Sequence, residues 1–306
     1  MTDSHHEAGV VPGTLDIDGI SLSYRASWVP RPRAVVLALH GGGTTSTYFD
    51  CPDHPRLSLL RTGAALGFTV IALDRPGYGA SLPQAEQLTD PARRVELAYA
   101  ALDRLPSARP RGAGVFLLAH SAGSELAVRM AADERGRALL GLEIGGTGRH
   151  HHPRSVSFLE LGDEDLRRSA ARSRLRQALW GPGHLYPPEV LGGASIGAAS
   201  PAYESAARGW RHEFPALAAR VRVPVQFSLG DHEEVWDAGP AALADIASLF
   251  TASPRVRVNE QPDSGHNLSL GHAARAYHLK VLSFAEECAV AREADIAAPP
   301  RHGRAG

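Results

Sequence analysis

Ser121 is the residue of this chain whose neighbours best suit a chemical role. It follows the apolar run 115–118 and lies at the centre of Ala-His-Ser-Ala-Gly, residues 119–123. After this stretch the apolar residues recur at helical spacing, so the pattern predicts a strand, a sharp turn and a helix. A serine on such a turn needs small residues two positions before and after it, because strand and helix approach closely there. Ala119 and Gly123 meet this need, which makes Ser121 a candidate nucleophile, although five residues alone also fit an ordinary turn.

Four further motifs occur in the segments that must position such a serine. The apolar strand predicted at 34–39 ends in His-Gly-Gly-Gly, residues 40–43, where glycine lets backbone N–H groups face a site without side chains in the way. The next strand ends in Asp-Arg-Pro-Gly-Tyr-Gly-Ala-Ser, residues 74–81, a sequence that favours a tight turn. Gly-Asp-His-Glu-Glu follows a later strand at 230–234, and Ser-Gly-His stands at 264–266.

Taken together, the five motifs resemble those of the α/β-hydrolase family over residues 34–285. The resemblance implies that Ser121 lies on the nucleophile elbow, with Ala119 where the usual form has glycine. It also implies the chain order serine, acid, histidine. A serine hydroxyl is a poor nucleophile at neutral pH, so it needs a base, and the base needs a partner that fixes its tautomer.

The resemblance implies His266 as the base, because it follows the last predicted core strand. We expect the last helix to begin in this motif and to run to about residue 291. Three carboxylates compete for the role of the acid. The family pattern Gly-x-x-Asp, counted from the end of the strand, reaches Glu233, which we predict to be the acid; Asp231 is the alternative, and Glu234 ranks third.

The tetrahedral intermediate of acyl transfer carries a negative charge that needs preorganised donors. The resemblance implies two backbone N–H groups for this purpose. One belongs to Ala122, the residue after the nucleophile, and the other to Gly42, with Gly43 close by. His120, next to the nucleophile, is expected to point away from it.

Composition narrows the class of protein. The 306 residues carry a formal net charge of −1 with 43% hydrophobic residues, as in a globular protein, and no apolar run approaches the ~20 residues of a membrane span. We therefore expect no nucleic-acid or membrane partner. A small molecule as substrate is what the resemblance implies. The first nine residues have neither the basic nor the apolar part of a secretory signal, which favours a cytoplasmic location. Oligomeric state is not predicted.

We expect neither a metal nor a cofactor. Cys51 and Cys288 are the only cysteines, too few for a zinc site built from thiolates. Three consecutive histidines, residues 150–152, cannot all face one ion in regular structure, and no acidic residue stands beside them at a metal-binding spacing. A loop is the favoured interpretation of these histidines.

Alternating strand and helix patterns predict an α/β fold, a doubly wound, mostly parallel sheet of about eight strands with flanking helices. We assign the hydrolase core to residues 13–146 and 212–296, and an inserted, mainly helical cap to residues 147–211. A flexible lead is expected at 1–12 and a disordered tail at 297–306. Aromatic residues of the cap are candidates to line the substrate pocket, namely Trp180, Tyr186 and Trp210.

The resemblance favours a serine hydrolase that cleaves an ester, thioester, lactone or amide bond of a small organic substrate through an acyl-serine intermediate. A serine at the elbow excludes the haloalkane dehalogenase and epoxide hydrolase branches, which use aspartate there. Two alternatives remain open. The same residues could serve epimerase or lyase chemistry without acylation of Ser121, or the chain could be a binding or editing protein of a biosynthetic pathway.

Overall fold

The computed structural model describes residues 9–105, 109–159, 169–204 and 208–297. The predicted N-terminal lead falls outside this range up to residue 8, and the predicted tail falls outside it from residue 298. The first strand begins at Val11, two residues before the predicted start of the core.

Within the described residues, eight strands form one sheet in the order β1-β2-β4-β3-β5-β6-β7-β8. The antiparallel pairs are β1 with β2 and β2 with β4, and all other neighbours are parallel. The predicted mostly parallel sheet of about eight strands is therefore confirmed. The strands are β1 Val11–Ile17, β2 Ile20–Ser27, β3 Val35–Leu39, β4 Thr69–Leu73, β5 Val115–His120, β6 Gly141–Gly145, β7 Val225–Gly230 and β8 Val256–Gln261.

Helices cover both faces of the sheet. The described α-helices are α1 Thr47–Asp50, α2 Leu59–Ala65, α3 Pro91–Arg104, α4 Gly123–Ala132, α5 Val156–Leu159, α6 Ser169–Trp180, α7 Phe214–Ala218, α8 Pro240–Leu249 and α9 Ala274–Ala297. Short 3₁₀ helices lie at Pro55–Leu57, Gly79–Leu88, Glu134–Ala138, Gly183–Leu185 and Arg208–His212. No helix of the described residues is long and apolar enough to cross a bilayer.

The continuous apolar strands are buried because each face of the sheet has its own core. Along β3, Val35, Leu37 and Leu39 join the cluster on one face, and Val36 and Ala38 join the cluster on the other. Alternate side chains of a strand point to opposite faces, so a strand covered on both sides must be apolar throughout.

The last helix begins later than the sequence predicts. It starts at Ala274, and residues 263–266 form a turn instead. Asp263 has a φ of +52°, in the left-handed region that interrupts a right-handed helix. The Asp231 carboxylate accepts hydrogen bonds from the N–H groups of Asp263 and Ser264 at 3.1 and 3.0 Å. This turn frees His266 from a helix and lets its ring face the sheet edge.

A long insertion separates β6 from β7 and contains the segment predicted as a cap. Its described part carries α5, α6 and α7, while residues 160–168 and 205–207 fall outside the description. Between Tyr186 and Glu204 the chain forms mainly turns, within the segment that the sequence predicts to be a mainly helical cap. Gly and Pro are frequent in this stretch and disfavour a helix. Val190 and Ile196 pack into the core cluster that also contains Leu268, so the insertion lies against the loops that follow the strands.

The turn between β5 and α4 depends on Gly123. A Cβ at this position would lie 2.4 Å from the carbonyl oxygen of Leu39 and 2.5 Å from that of His40. Both neighbours are backbone atoms, so they cannot rotate away, and β3 would have to move.

We predict that Gly123→Ala lowers the free energy of unfolding by about 1 to 3 kcal/mol, because it overpacks this crossing. Thermal or urea unfolding followed by circular dichroism measures the change. Gly209→Ala is the matched control, since a Cβ at Gly209 would meet no atom within 4 Å. Equal stability of the two variants would contradict this account of the turn.

Candidate active site

Ser121 lies in strained backbone geometry at the end of β5. Its φ is +50°, a region that a residue with a Cβ rarely adopts. The Ser121 N–H donates to Gly145 O at 2.8 Å, and Ser121 O accepts from the Ser124 N–H at 2.9 Å. The turn is thus held at both ends, and the hydroxyl faces the space beyond the sheet edge.

His266 bridges Ser121 and Glu233. Its Nε2 is 3.1 Å from Ser121 Oγ, and its Nδ1 is 3.1 and 3.0 Å from the two oxygens of Glu233. The imidazole is 1% exposed. A carboxylate can only accept hydrogen bonds, so Nδ1 carries a proton. When Nε2 carries none, its lone pair faces the Ser121 hydroxyl.

The three candidate acids lie in different surroundings. Glu233 is buried, and besides His266 its Oε1 accepts from the N–H groups of Val235 and Trp236 at 2.7 and 3.3 Å. Asp231 instead holds the turn that precedes His266, and Glu234 pairs with Arg154 at 3.2 Å. Only Glu233 of the three has its carboxylate against the imidazole in the described structure.

His120 contacts the backbone of His266, and the sequence did not predict this contact. Its ring stacks on Tyr48 with centroids 4.5 Å apart, and its Nε2 is 2.9 Å from His266 O. A carbonyl only accepts, so Nε2 carries the proton. Burial lowers the pKa of His120 well below its usual value, and His266 lowers it further, so the ring stays neutral. His120 thereby fixes the backbone of His266.

The three predicted oxyanion donors differ in what they already bind. The Gly43 N–H donates to Tyr78 Oη at 3.3 Å. The N–H groups of Gly42 and Ala122 form no hydrogen bond with any of the described residues. A Cβ on Gly42 would be 3.7 Å from the Ala122 Cβ, so these two residues are neighbours. Gly42 and Ala122 are therefore the donor pair with free N–H groups beside Ser121.

A cavity of about 200 Å³ opens beside Ser121 and His266. The glycine loop forms one side, and residues of the insertion form the other. No acidic side chain, lysine or arginine is among its described lining residues, which are Gly41, Gly42, Gly43, Thr44, Tyr48, His120, Ser121, Leu179, Trp180, Gly192, Gly193, Ile196, Gly197, His266 and Asn267.

One of the three aromatic residues predicted to line the pocket does so. Trp180 borders the cavity. Tyr186 lies behind it, edge-on to Trp180 at 5.3 Å between ring centroids, and its hydroxyl accepts from the Asn267 N–H at 3.3 Å. Trp210 packs on Phe214 in the core, 4.7 Å between ring centroids. Tyr186 and Trp210 do not border the cavity because their apolar rings are buried in the adjacent core.

The histidines at 150–152 run along the loop that follows Glu233. The Asp237 N–H donates to His150 O at 2.8 Å, and the His152 N–H donates to Val235 O at 3.0 Å. Their backbone thus braces the loop that follows Glu233. No group of three or more His, Cys, Asp or Glu side chains that could hold a metal ion occurs in the described parts of the chain.

The chain matches the model of the alpha/beta hydrolase family over residues 35–278. Since this match covers most of the sequence, the chain belongs to that family. No curated protein matches it.

Several solved structures have a similar fold at low sequence identity. VinJ is 19% identical with a TM-score of 0.65, and the match covers 91% of this chain and 99% of VinJ. A carboxyl esterase from Bacillus coagulans is 17% identical with a TM-score of 0.60, covering 92% and 99%. The thioesterase domain from the curacin biosynthetic pathway is 20% identical with a TM-score of 0.57, covering 90% and 99%. At these identities the likeness shows the fold alone.

Proposed function

We propose that this protein is a serine hydrolase that cleaves an ester, thioester, lactone or amide bond of a small organic substrate. The observation that carries the proposal is the hydrogen-bonded series Glu233, His266, Ser121 at the edge of a cavity. The free N–H groups of Gly42 and Ala122 support it. Membership in the hydrolase family and the esterase and thioesterase names of structures with this fold agree with it.

In the first half of the reaction, Ser121 Oγ attacks the carbonyl carbon while His266 Nε2 takes the hydroxyl proton. The carbonyl oxygen becomes an anion that accepts from the N–H groups of Gly42 and Ala122. When the tetrahedral intermediate collapses, the bond to the leaving group breaks and His266 returns the proton to that group. Glu233 stabilises the imidazolium and fixes its orientation throughout.

In the second half, a water molecule attacks the acyl-serine carbonyl and His266 accepts one of its protons. Collapse of the second tetrahedral intermediate breaks the bond to Ser121 Oγ, and His266 returns the proton to the serine. The products are the free acid and the alcohol, thiol or amine, and the enzyme is unchanged.

The volume and the lining of the cavity limit the size and the charge of the acyl group that it can hold. A cavity of about 200 Å³ is close in size to the ~150 Å³ cavity that holds one benzene molecule in an engineered protein. A charged acyl group would find no ionised partner among the described lining residues, and its desolvation would be costly. We therefore propose a short, uncharged acyl group. A cytoplasmic location and the absence of nucleic-acid and membrane partners remain predictions.

The second candidate function uses the same residues differently. An epimerase or lyase would use His266 as a base without forming a bond to Ser121 Oγ. A binding or editing protein would need no reactive serine. The 3.1 Å contact between His266 Nε2 and Ser121 Oγ favours the hydrolase over both, because neither alternative requires it.

The proposal predicts that a fluorophosphonate probe labels the wild-type protein stoichiometrically and fails to label Ser121→Ala. The probe reacts with an activated serine hydroxyl, so gel fluorescence and intact-protein mass measure the reaction. Circular dichroism of Ser121→Ala controls for folding. A folded wild-type protein that does not label would contradict the hydrolase proposal.

We predict that Glu233→Gln lowers kcat by about 10²- to 10⁴-fold, because an amide cannot stabilise the imidazolium and favours the wrong tautomer. Asp231→Asn keeps a side chain of the same size and is expected to lower kcat less than about tenfold, acting through the turn before His266. Steady-state hydrolysis of a p-nitrophenyl ester gives both values. The reverse ranking would assign the acid to Asp231.

The size of the cavity predicts that p-nitrophenyl acetate and butyrate have a higher kcat/KM than the decanoate and longer esters. A long chain cannot be buried in the space between the glycine loop and Trp180. The comparison is made below the critical micelle concentration of each ester. A maximum at the decanoate or beyond would refute the short-acyl proposal while leaving the hydrolase proposal intact.

A further inference from the structure

Arg75 and Glu204 form a buried ion pair beside the glycine loop. Arg75 Nη1 is 2.7 Å from Glu204 Oε1, and the two side chains are 2% and 14% exposed. Arg75 belongs to the turn after β4 and Glu204 to the insertion between β6 and β7, so the pair joins two distant segments. Desolvation offsets most of the attraction in a buried ion pair, so a gain in stability does not explain why Arg75 and Glu204 are paired here. The other groups that the two side chains contact indicate a role for the pair.

The guanidinium also holds one carbonyl of the glycine loop. Arg75 Nη2 donates to Gly41 O at 3.1 Å, and the same oxygen is 2.8 Å from His40 Nδ1 and 3.3 Å from Thr44 Oγ1. The Arg75 N–H donates to His40 Nε2 at 3.0 Å, so the proton of neutral His40 is on Nδ1 and points to Gly41 O. Burial, with a further effect of the Arg75 charge, lowers the pKa of His40 well below its usual value and keeps it neutral.

The carbonyl of Gly41 and the N–H of Gly42 belong to one peptide unit. That unit is planar and trans, so its C=O and N–H point in opposite directions. Donors that fix Gly41 O therefore fix the direction of the Gly42 N–H. They also polarise the peptide, which strengthens the N–H as a donor.

Glu204 contacts the next residue of the loop. A Cβ on Gly42 would lie 3.0 Å from Glu204 Oε2, so the carboxylate packs against the Gly42 Cα. The ion pair thus contacts both residues of this peptide unit, Gly41 through Arg75 and Gly42 through Glu204. Further along, the Ala198 N–H donates to Gly43 O at 2.8 Å, and Tyr203 Oη donates to Pro76 O. The insertion and the two loops that follow β3 and β4 are therefore tied together at this point.

We propose that Arg75, held in place by Glu204, is a positioning residue that orients the Gly42 N–H toward the oxyanion. This inference rests on the proposed acyl transfer and extends it, because it makes the insertion a part of the oxyanion site as well as a wall of the cavity. Arg75 itself touches no reacting atom; it acts through the carbonyl of Gly41.

The first test separates kcat from KM. Arg75→Gln is expected to lower kcat by about 10- to 100-fold, somewhat less than the loss of a whole oxyanion donor. KM should change less than about twofold, because the donor binds the charge that exists only in the transition state. Arg75→Lys keeps the charge but cannot donate to Gly41 O and Glu204 in the same forked geometry, so it should recover only part of kcat.

The second test measures the oxyanion site directly. A trifluoromethyl ketone adds to a reactive serine and places a negative oxygen where the intermediate has one, so it acts as a transition-state analogue. Its affinity should fall in Arg75→Gln by the same factor as kcat/KM. The carboxylic acid product, which needs no oxyanion donor, should bind as it does to the wild type.

The third test uses Glu204→Gln, which leaves Arg75 in place and also serves if Arg75→Gln does not fold. It should lower kcat and trifluoromethyl ketone affinity by about 3- to 10-fold. Because Glu204 acts through Arg75, the double variant should be no slower than Arg75→Gln alone. Arg255→Gln is the control, because Arg255 also pairs with a glutamate, Glu287 at 2.9 Å. Its guanidinium lies over the Phe284 ring as that of Arg75 lies over Tyr78, but Arg255 is outside the described cavity lining. Its kcat should equal that of the wild type.

The outcomes separate this inference from the proposed function. An active wild type whose Arg75 and Glu204 variants keep kcat and ketone affinity, and lose only Tm, would overturn the positioning role and leave the hydrolase intact. Additive losses in the double variant would overturn the link through Glu204. A wild type that neither hydrolyses esters nor binds the ketone would remove both proposals.

Discussion

The left-handed backbone at Ser121 is the constraint on which the rest of the site depends. With a φ of +50°, the chain turns sharply enough to place α4 directly against the end of β3, and Gly123 makes that approach possible. The same crossing brings the glycine loop to the serine, since a Cβ on Gly41 would lie only 3.2 Å from the Ser121 Cβ. The strain is local, and the core strands on both sides of β5 hold it in place.

The other members of the site reach Ser121 because parallel strands end at one edge of the sheet. The loops after β7 and β8 carry Glu233 and His266, and Asp231 joins these loops by binding the N–H groups at 263 and 264. His120 then holds the backbone of His266 from the end of β5. In an open parallel sheet, ligands bind beyond the carboxyl ends of the strands, and the cavity lies there.

The features that sequence predicts well are those set by short-range chemistry. The elbow and the apolar strands each depend on a few adjacent residues, and the fold follows from their order. The distinction between Glu233 and Asp231 required the geometry of the loop, because both carboxylates follow the same strand.

The late start of α9 came from a tertiary contact, the capping of the turn by Asp231. Tyr186 and Trp210 pack into the adjacent core, and the sequence of the insertion does not distinguish them from Trp180, which borders the cavity. The contact between Arg75 and Glu204 joins residues 129 positions apart, which no local pattern encodes.

The central claim is that Ser121 becomes acylated, and rapid quenching followed by mass spectrometry tests it most directly. The protein is mixed with p-nitrophenyl butyrate, quenched in acid within milliseconds, digested and mapped. The account predicts a peptide that contains Ser121 and is heavier by one butyryl group, with a burst of p-nitrophenol equal to the enzyme concentration when deacylation is slower than acylation. Turnover with the butyryl group on another residue, or full turnover by Ser121→Ala, would contradict it.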